Sequence, residues 1–113
     1  MHELAITQSM FDLVLEQAER AGAKKVRKIN LVIGEMTGVV EDCVRFYFDF
    51  LSKGTLAEKA ALSFVMVPPK ARCRGCGKAF ELKEFNWTCP YCQGNGMEII
   101  AGKELFVESI EVE

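Results

Sequence analysis

A chain of 113 residues with 16 carboxylates and 14 lysines and arginines can form one compact domain, or a small domain that carries a mini-domain. The formal charge of −2 argues against a general nucleic-acid binder and against a polybasic membrane anchor. No apolar run approaches the roughly 20 residues that span a bilayer, and the first residues lack a signal-peptide layout. We therefore expect a soluble, cytoplasmic protein, in which cysteines serve more often as metal ligands than as disulfides.

The chain begins with a helical pattern that is followed by an alternating one. The predicted helix covers Glu3 to Ala21, and Gly22 follows as a suitable stop. Its core-facing residues have the i, i+3, i+4, i+7 spacing of one helical face: Phe11, Val14, Leu15 and Ala18. The following stretch, KKVRKINLVIGE, alternates in polarity, which predicts a half-buried strand that ends at Gly34.

A second helix is predicted from Val39 to Lys53, before a second strand. Its apolar stripe comprises Val40, Cys43, Val44, Tyr47, Phe50 and Leu51, and we expect this stripe to be buried. We then expect Cys43 to be a small hydrophobic residue of the core. In the strand that follows, Leu62, Phe64 and Met66 share one face. The sequence PPK at residues 68–70 interrupts the pattern and predicts a short, stiff linker.

The last elements are a cysteine-rich segment and a final strand. In the strand ELFVESIEVE, Phe106, Ile110 and Val112 are predicted to share one side, and the glutamates form a solvated face. The pattern predicts an α+β fold: a small mixed α/β domain, with two helices on a three-stranded sheet, interrupted by a cysteine module. The predicted boundaries place the α/β domain at residues 1–69 plus 102–113, and the module at residues 70–101.

The cysteine module has the spacing of a metal site. Cys73, Cys76, Cys89 and Cys92 form two Cys-x-x-Cys pairs, separated by twelve residues. Two such turns that face each other supply a tetrahedral set of four thiolates, which leaves no open coordination position and so indicates a structural site. Zinc is the default metal, and iron is an alternative because the same ligand set binds it in rubredoxin-like proteins.

The N-terminal MHE contains the only histidine of the chain, His2. The α-amine of Met1, the amide nitrogen of His2 and its imidazole Nδ1 could form fused chelate rings around Ni(II) or Cu(II), which favour tetragonal nitrogen ligation. Glu3 could complete the plane through its amide or its carboxylate. The residues by themselves also fit a chain end without a ligand role, and they do not choose nickel over copper.

The motifs in their order resemble the HypA family, the nickel metallochaperones of [NiFe]-hydrogenase maturation. The likeness rests on MHELAIT, INLVIGEMTGVVEDCVRFYFDFLSKGT, CRGCGKAFEL, CPYC and GKELFVESIEVE, which together cover nearly the whole chain. The resemblance implies a nickel-binding α/β domain with an inserted zinc-ribbon domain. It implies transported Ni(II) on Met1, His2 and Glu3, and structural Zn(II) on Cys73, Cys76, Cys89 and Cys92.

The resemblance also implies a function and partners. It predicts a nickel carrier rather than an enzyme, which works with the GTPase HypB and delivers nickel to the hydrogenase large subunit. Some relatives also serve urease, so urease accessory proteins are further candidate partners, whereas nucleic acid and membranes are not. One departure is that some family members carry a histidine near the zinc module, which this chain lacks. The alternative function is a zinc-ribbon adaptor that recruits a protein and never binds nickel.

Overall fold

The computed structural model describes residues 3–83 and 87–113, which form two helices and two three-stranded sheets. The helices are α1 (Glu3–Arg20) and α2 (Glu41–Ser52), and a single 3₁₀ turn (Glu35–Thr37) precedes α2. The strands are β1 (Val26–Gly34), β2 (Ala61–Val67), β3 (Lys70–Cys73), β4 (Ala79–Glu81), β5 (Met97–Ala101) and β6 (Leu105–Val112). The predicted α+β class, with two helices and a three-stranded sheet beside a cysteine module, is confirmed. No helix in the described ranges combines the length and the apolar character that crossing a membrane requires.

The first sheet has the order β2-β1-β6, so β1 lies at its centre. Strand β1 pairs in parallel with β2 and antiparallel with β6. The parallel pairing needs a long crossover, and the 3₁₀ turn and α2 supply it. The helices and this sheet share one apolar core, in which Val14, Ile29 and Phe48 are almost fully buried.

Helix α2 buries only part of the predicted stripe: Val44 is buried and Leu51 packs against the core, but the centre of the buried face lies elsewhere. Its buried residues are Val44, Phe48 and Ser52, whereas Val40 and Phe50 are exposed. Cys43 is also exposed, so the prediction that it is a core residue is wrong. Apolar residues surround most of this helix, so spacing alone allows two faces, and the edge-to-face packing of Phe48 on Phe11, with centroids 6.1 Å apart, belongs to the buried one.

Strand β6 departs from the predicted alternation because its pairing contains a bulge. Asn30 pairs with Ser109 and Leu31 pairs with Val107, which leaves Glu108 as the extra residue. The bulge changes the phase of the strand, so Val107 and Ile110 pack against the core. Phe106 instead pairs with Val32 and is 49% exposed, and its predicted place beside Ile110 is wrong.

The second sheet has the order β4-β3-β5, with both pairings antiparallel. It has its own small core, in which Ala71, Phe80 and Leu82 are buried together with two of the cysteines. The two sheets meet where Gly34 approaches Gly102. The Gly34 N–H donates to the Glu104 carbonyl (2.7 Å), and the Met36 N–H donates to the Gly102 carbonyl (2.8 Å). Two backbone hydrogen bonds therefore hold these chain segments together at the junction of the sheets.

Candidate metal centre

Two turns of the same geometry present the four cysteines. The first follows β3, and its Gly77 N–H donates to the Cys73 carbonyl at 2.9 Å. In the second, the Gln93 N–H donates to the Cys89 carbonyl at 2.9 Å. The first sulfur of each pair also accepts a backbone N–H: from Gly75 to Cys73 at 3.3 Å, and from Tyr91 to Cys89 at 3.4 Å. The Cys-x-x-Cys spacing predicted the facing turns, but it did not identify Gly75 and Tyr91 as donors.

The sulfur positions fit a tetrahedral metal. All four Sγ atoms lie within 4.8 Å of one another, and the Cys73–Cys92 and Cys76–Cys89 pairs are 3.4 and 3.7 Å apart. Zinc–sulfur bonds of about 2.3 Å would place tetrahedral sulfurs about 3.8 Å apart. Within the described ranges, these cysteines form the one group of three or more His, Cys, Asp or Glu side chains with this geometry. The donor set therefore fits zinc, and it also fits iron.

Three of the cysteines have pKa values shifted from the ordinary value of a thiol. The Cys76 N–H and the Cys92 thiol lower the pKa of Cys73 to about 6. Burial opposes ionisation of Cys89, yet the N–H groups of Cys92 and Tyr91 bring its pKa below the ordinary value. For Cys92 the Gly94 N–H favours ionisation, but hydrogen bonds with Cys73 and Cys89 outweigh it and raise the pKa to about 11. Cys73 and Cys89 therefore ionise more readily than an ordinary cysteine, and the thiolate is the form that binds metal.

Five basic residues are exposed at the surface of the module: Lys70, Arg72, Arg74, Lys78 and Lys83. One of them makes a defined contact, since the Lys78 ammonium lies 4.8 Å above the ring centre of Tyr91. Tyr91 lies between Cys89 and Cys92, so this contact joins Lys78 to the second turn. It is an exposed cation–π contact, which contributes modestly to stability.

Of the predicted nickel ligands the structure describes only Glu3, since Met1 and His2 lie outside the described residues. Glu3 is the first residue of α1 and is partly buried. Its Oε2 accepts a hydrogen bond from the Val40 N–H (3.1 Å), and its carbonyl accepts one from the Thr7 hydroxyl (2.6 Å). The Glu3 carboxylate thus lies at the N-terminus of α2, where a negative charge is favourable. No local pattern predicted this contact, because 37 residues separate its partners.

Comparisons with known proteins agree over the whole chain. A family model described as hydrogenase/urease nickel incorporation, metallochaperone, hypA matches residues 1–112. A hydrogenase maturation factor HypA of Dehalococcoides mccartyi is 50% identical over 113 residues, which are 100% of this chain and 95% of the relative. Another, of Caldanaerobacter subterraneus subsp. tengcongensis, is 47% identical over 114 residues and all of both chains.

Solved structures share the fold at lower identity. A solution structure of a HypA protein superposes with a TM-score of 0.76 at 23% identity, over 100% of this chain and 97% of that one. The solution structure of the Ni metallochaperone HypA from Helicobacter pylori gives a TM-score of 0.68 at 24% identity, over 99% and 97%. These two structures share the fold of this chain. The evidence for its family comes from the family model and from the relatives that are similar in sequence.

Proposed function

This chain belongs to the HypA family of metallochaperones for nickel incorporation into hydrogenase and urease, and from that premise we propose that it carries Ni(II) as cargo to the large subunit of [NiFe]-hydrogenase. We propose a HypB-type GTPase as its partner in delivery. The family match over residues 1–112, which includes the MHE start, carries this proposal. The chain then acts by binding and releasing a metal, not as an enzyme.

Nickel in this proposal binds to the Met1 amine, to His2 and to Glu3. Amine, amide and imidazole nitrogens suit the planar geometry of Ni(II). The first backbone N–H groups of a helix have no intrahelical acceptor, so deprotonating such an amide to bind the metal breaks no hydrogen bond of the helix. The hydrogen bond between the Glu3 carboxylate and the Val40 N–H supports ligation by Glu3 through its backbone nitrogen. That contact also holds the start of α1 against α2.

We propose that Cys73, Cys76, Cys89 and Cys92 hold a structural zinc ion. The sulfur distances and the lowered pKa of Cys73 support the proposal. Bound zinc would join the two turns and supply much of the folding free energy of the small module. We further propose that the chain divides into a nickel-binding domain (residues 1–69 plus 102–113) and a zinc-ribbon domain (residues 70–101), which the separate cores of the two sheets support.

The zinc proposal is tested with two cysteine variants. We expect Cys73→Ser to lose its zinc and to shift the fluorescence of Trp87, the single tryptophan, while the helical circular dichroism stays largely intact. Cys43→Ser is the matched control, because Cys43 is exposed and outside the cluster, and it should retain one zinc per chain. Retention of zinc by Cys73→Ser, or iron in place of zinc in the purified protein, would overturn the proposal.

The function is tested by the nickel content of the hydrogenase large subunit. In the organism that encodes this chain, we expect deletion of its gene to leave the large subunit poor in nickel. Complementation with the wild-type sequence or with Gln8→Ala, an exposed position on α1, should restore the metal. Complementation with His2→Ala should not. Full nickel loading with His2→Ala, together with loss of loading with Cys73→Ser, would favour the zinc-ribbon adaptor instead.

We propose that delivery takes place in the cytoplasm, where thiols are kept reduced and available to metal. The urease accessory proteins remain a second candidate destination, since the family description includes urease. Nucleic acid and membranes are not proposed as partners, because the net charge of −2 offers no basic surplus.

A further inference from the structure

Helix α2 carries an exposed apolar surface, here called the α2 stripe, formed by Val40, Cys43, Phe46 and Phe50. Spacings of three and four residues place them on one side of the helix and its first turn. Val40 is 51% exposed, Phe46 69% and Phe50 70%, and Cys43 is exposed as well. The Phe46 ring meets the ring of the partly buried Tyr47 beside the stripe edge to face, with centroids 5.5 Å apart. Exposed aromatic side chains one helical turn apart, as Phe46 and Phe50 are, are characteristic of interaction sites.

The size of the α2 stripe argues against a stable dimer built on it. A phenylalanine buries about 150–250 Å² when fully covered, so Phe46 and Phe50 together expose roughly 200–350 Å². A stable protein–protein interface buries about 800 Å² on each partner. The two rings supply less than half of that area, so a stable dimer would need much further surface, and the stripe suits a contact that forms and dissociates.

The charges beside the α2 stripe indicate the chemistry of its partner. Asp42 and Asp49 are exposed, and neither carboxylate has an ion-pair partner within residues 3–83 and 87–113. The neighbouring Glu41, in contrast, is paired with Arg45 at 2.9 Å. Acidic groups beside aromatic rings disfavour nucleic acid and anionic lipid, and they complement a protein surface that presents apolar side chains with lysine or arginine nearby.

The α2 stripe begins next to the proposed nickel segment. The N–H of Val40, its first residue, donates to the Glu3 carboxylate. A protein on the stripe would therefore also border the start of α1. We propose that the α2 stripe is the docking surface for the protein partner that exchanges nickel with this chain, and that the partner contacts it with apolar side chains flanked by basic ones. This inference rests on the proposed function, since it assigns the surface that brings the partner to the nickel.

The test uses the full chain and a purified HypB-type GTPase from the same organism as the probe. The variant Phe46→Ser/Phe50→Ser removes both exposed rings, and Phe106→Ser is the matched control, since Phe106 is 49% exposed on β6. We expect the double variant to bind nickel with unchanged stoichiometry and to bind the GTPase at least tenfold more weakly, as loss of two aromatic anchors implies. Nickel transfer between the two proteins should slow in parallel, while Phe106→Ser stays within twofold of wild type.

A second variant examines the charge complementarity. Asp42→Lys should weaken GTPase binding and reduce its dependence on salt, because it replaces an attractive charge by a repulsive one. The same affinity for the GTPase in wild type and double variant, or no detectable binding by wild type, would overturn the proposal. So would a wild-type dimer in sedimentation that the double variant abolishes, since the stripe would then bind a second copy. Failure of wild type to bind nickel would refute the proposed function, whereas a loss of GTPase affinity confined to the stripe variants would still support this surface.

Discussion

Replacing Gly34 by alanine would place a methyl group where the backbone of Gly102 already lies. The added Cβ would stand 2.0 Å from the Gly102 carbonyl oxygen and 2.1 Å from its carbon. Both atoms belong to the main chain, so no side-chain rotation relieves the contact. The segment around Gly102 must therefore move away from the end of β1, which breaks the junction between the two sheets.

The cost follows from what that movement disrupts. The Gly34–Glu104 and Met36–Gly102 hydrogen bonds would be lost, at about 1 kcal/mol each. Overpacking adds about 1–3 kcal/mol, so we expect Gly34→Ala to lower the free energy of unfolding by about 3–5 kcal/mol. With a urea dependence of about 1–3 kcal/mol per molar, the midpoint of unfolding should fall by more than about 1 M.

Gly38→Ala is the matched control for this experiment. Gly38 has a φ of +73°, but no atom lies within 4 Å of an added Cβ. Gly38→Ala should therefore destabilise the protein only because alanine must adopt a left-handed backbone conformation, by about 1–2 kcal/mol. Urea unfolding followed by circular dichroism at 222 nm measures both variants. If Gly34→Ala unfolds at the same urea concentration as Gly38→Ala, the close approach of the two chain segments is not a constraint on the fold.

Two further predictions concern the helix face and an ion pair. Phe48→Ala should destabilise the protein by about 3–5 kcal/mol, because Phe48 is 1% exposed. Phe50→Ala should change the free energy of unfolding by about 0.5 kcal/mol or less, because Phe50 is 70% exposed. Thermal or urea unfolding measures both variants, and equal effects would contradict the observed orientation of α2. The hydrogen bond and charge of Arg27 hold the pKa of Glu113 below its ordinary value of 4.5, so the pair's small contribution to stability is complete above about pH 4.5 and is lost as the pH falls through the lowered pKa. An NMR titration should show the Glu113 pKa return toward its ordinary value in Arg27→Gln, and an unchanged titration would refute this cause.

The sequence predicted the metal cluster well because its geometry is local. Two residues between cysteines fix each turn, and the repeated spacing gives two equivalent turns that can share one metal. The ends of α1 and β1 were equally predictable. Gly22 follows a clear helical pattern, and Gly34 ends a clear strand pattern. These features depend on neighbours in the chain, which a sequence displays directly.

The features that the sequence did not predict depend on distant contacts. Helix α2 has apolar residues on more sides than it can bury, so only its packing on α1 distinguishes Phe48 from Phe50. The bulge at Glu108 is a property of the pairing between β1 and β6, and it reverses the expected side of Phe106. The contact between Glu3 and Val40 likewise arises only when the two helices come together.

The central claim is that the N-terminal residues hold nickel, and a nickel titration tests it most directly. Metal-analysed protein without a tag, and with a free Met1 amine confirmed by mass spectrometry, is titrated with Ni(II) beside His2→Ala. We predict about one Ni(II) per chain for wild type, in a planar, nitrogen-rich site by X-ray absorption, and no such site in the variant. Equal binding by both proteins, or none by either, would contradict the account.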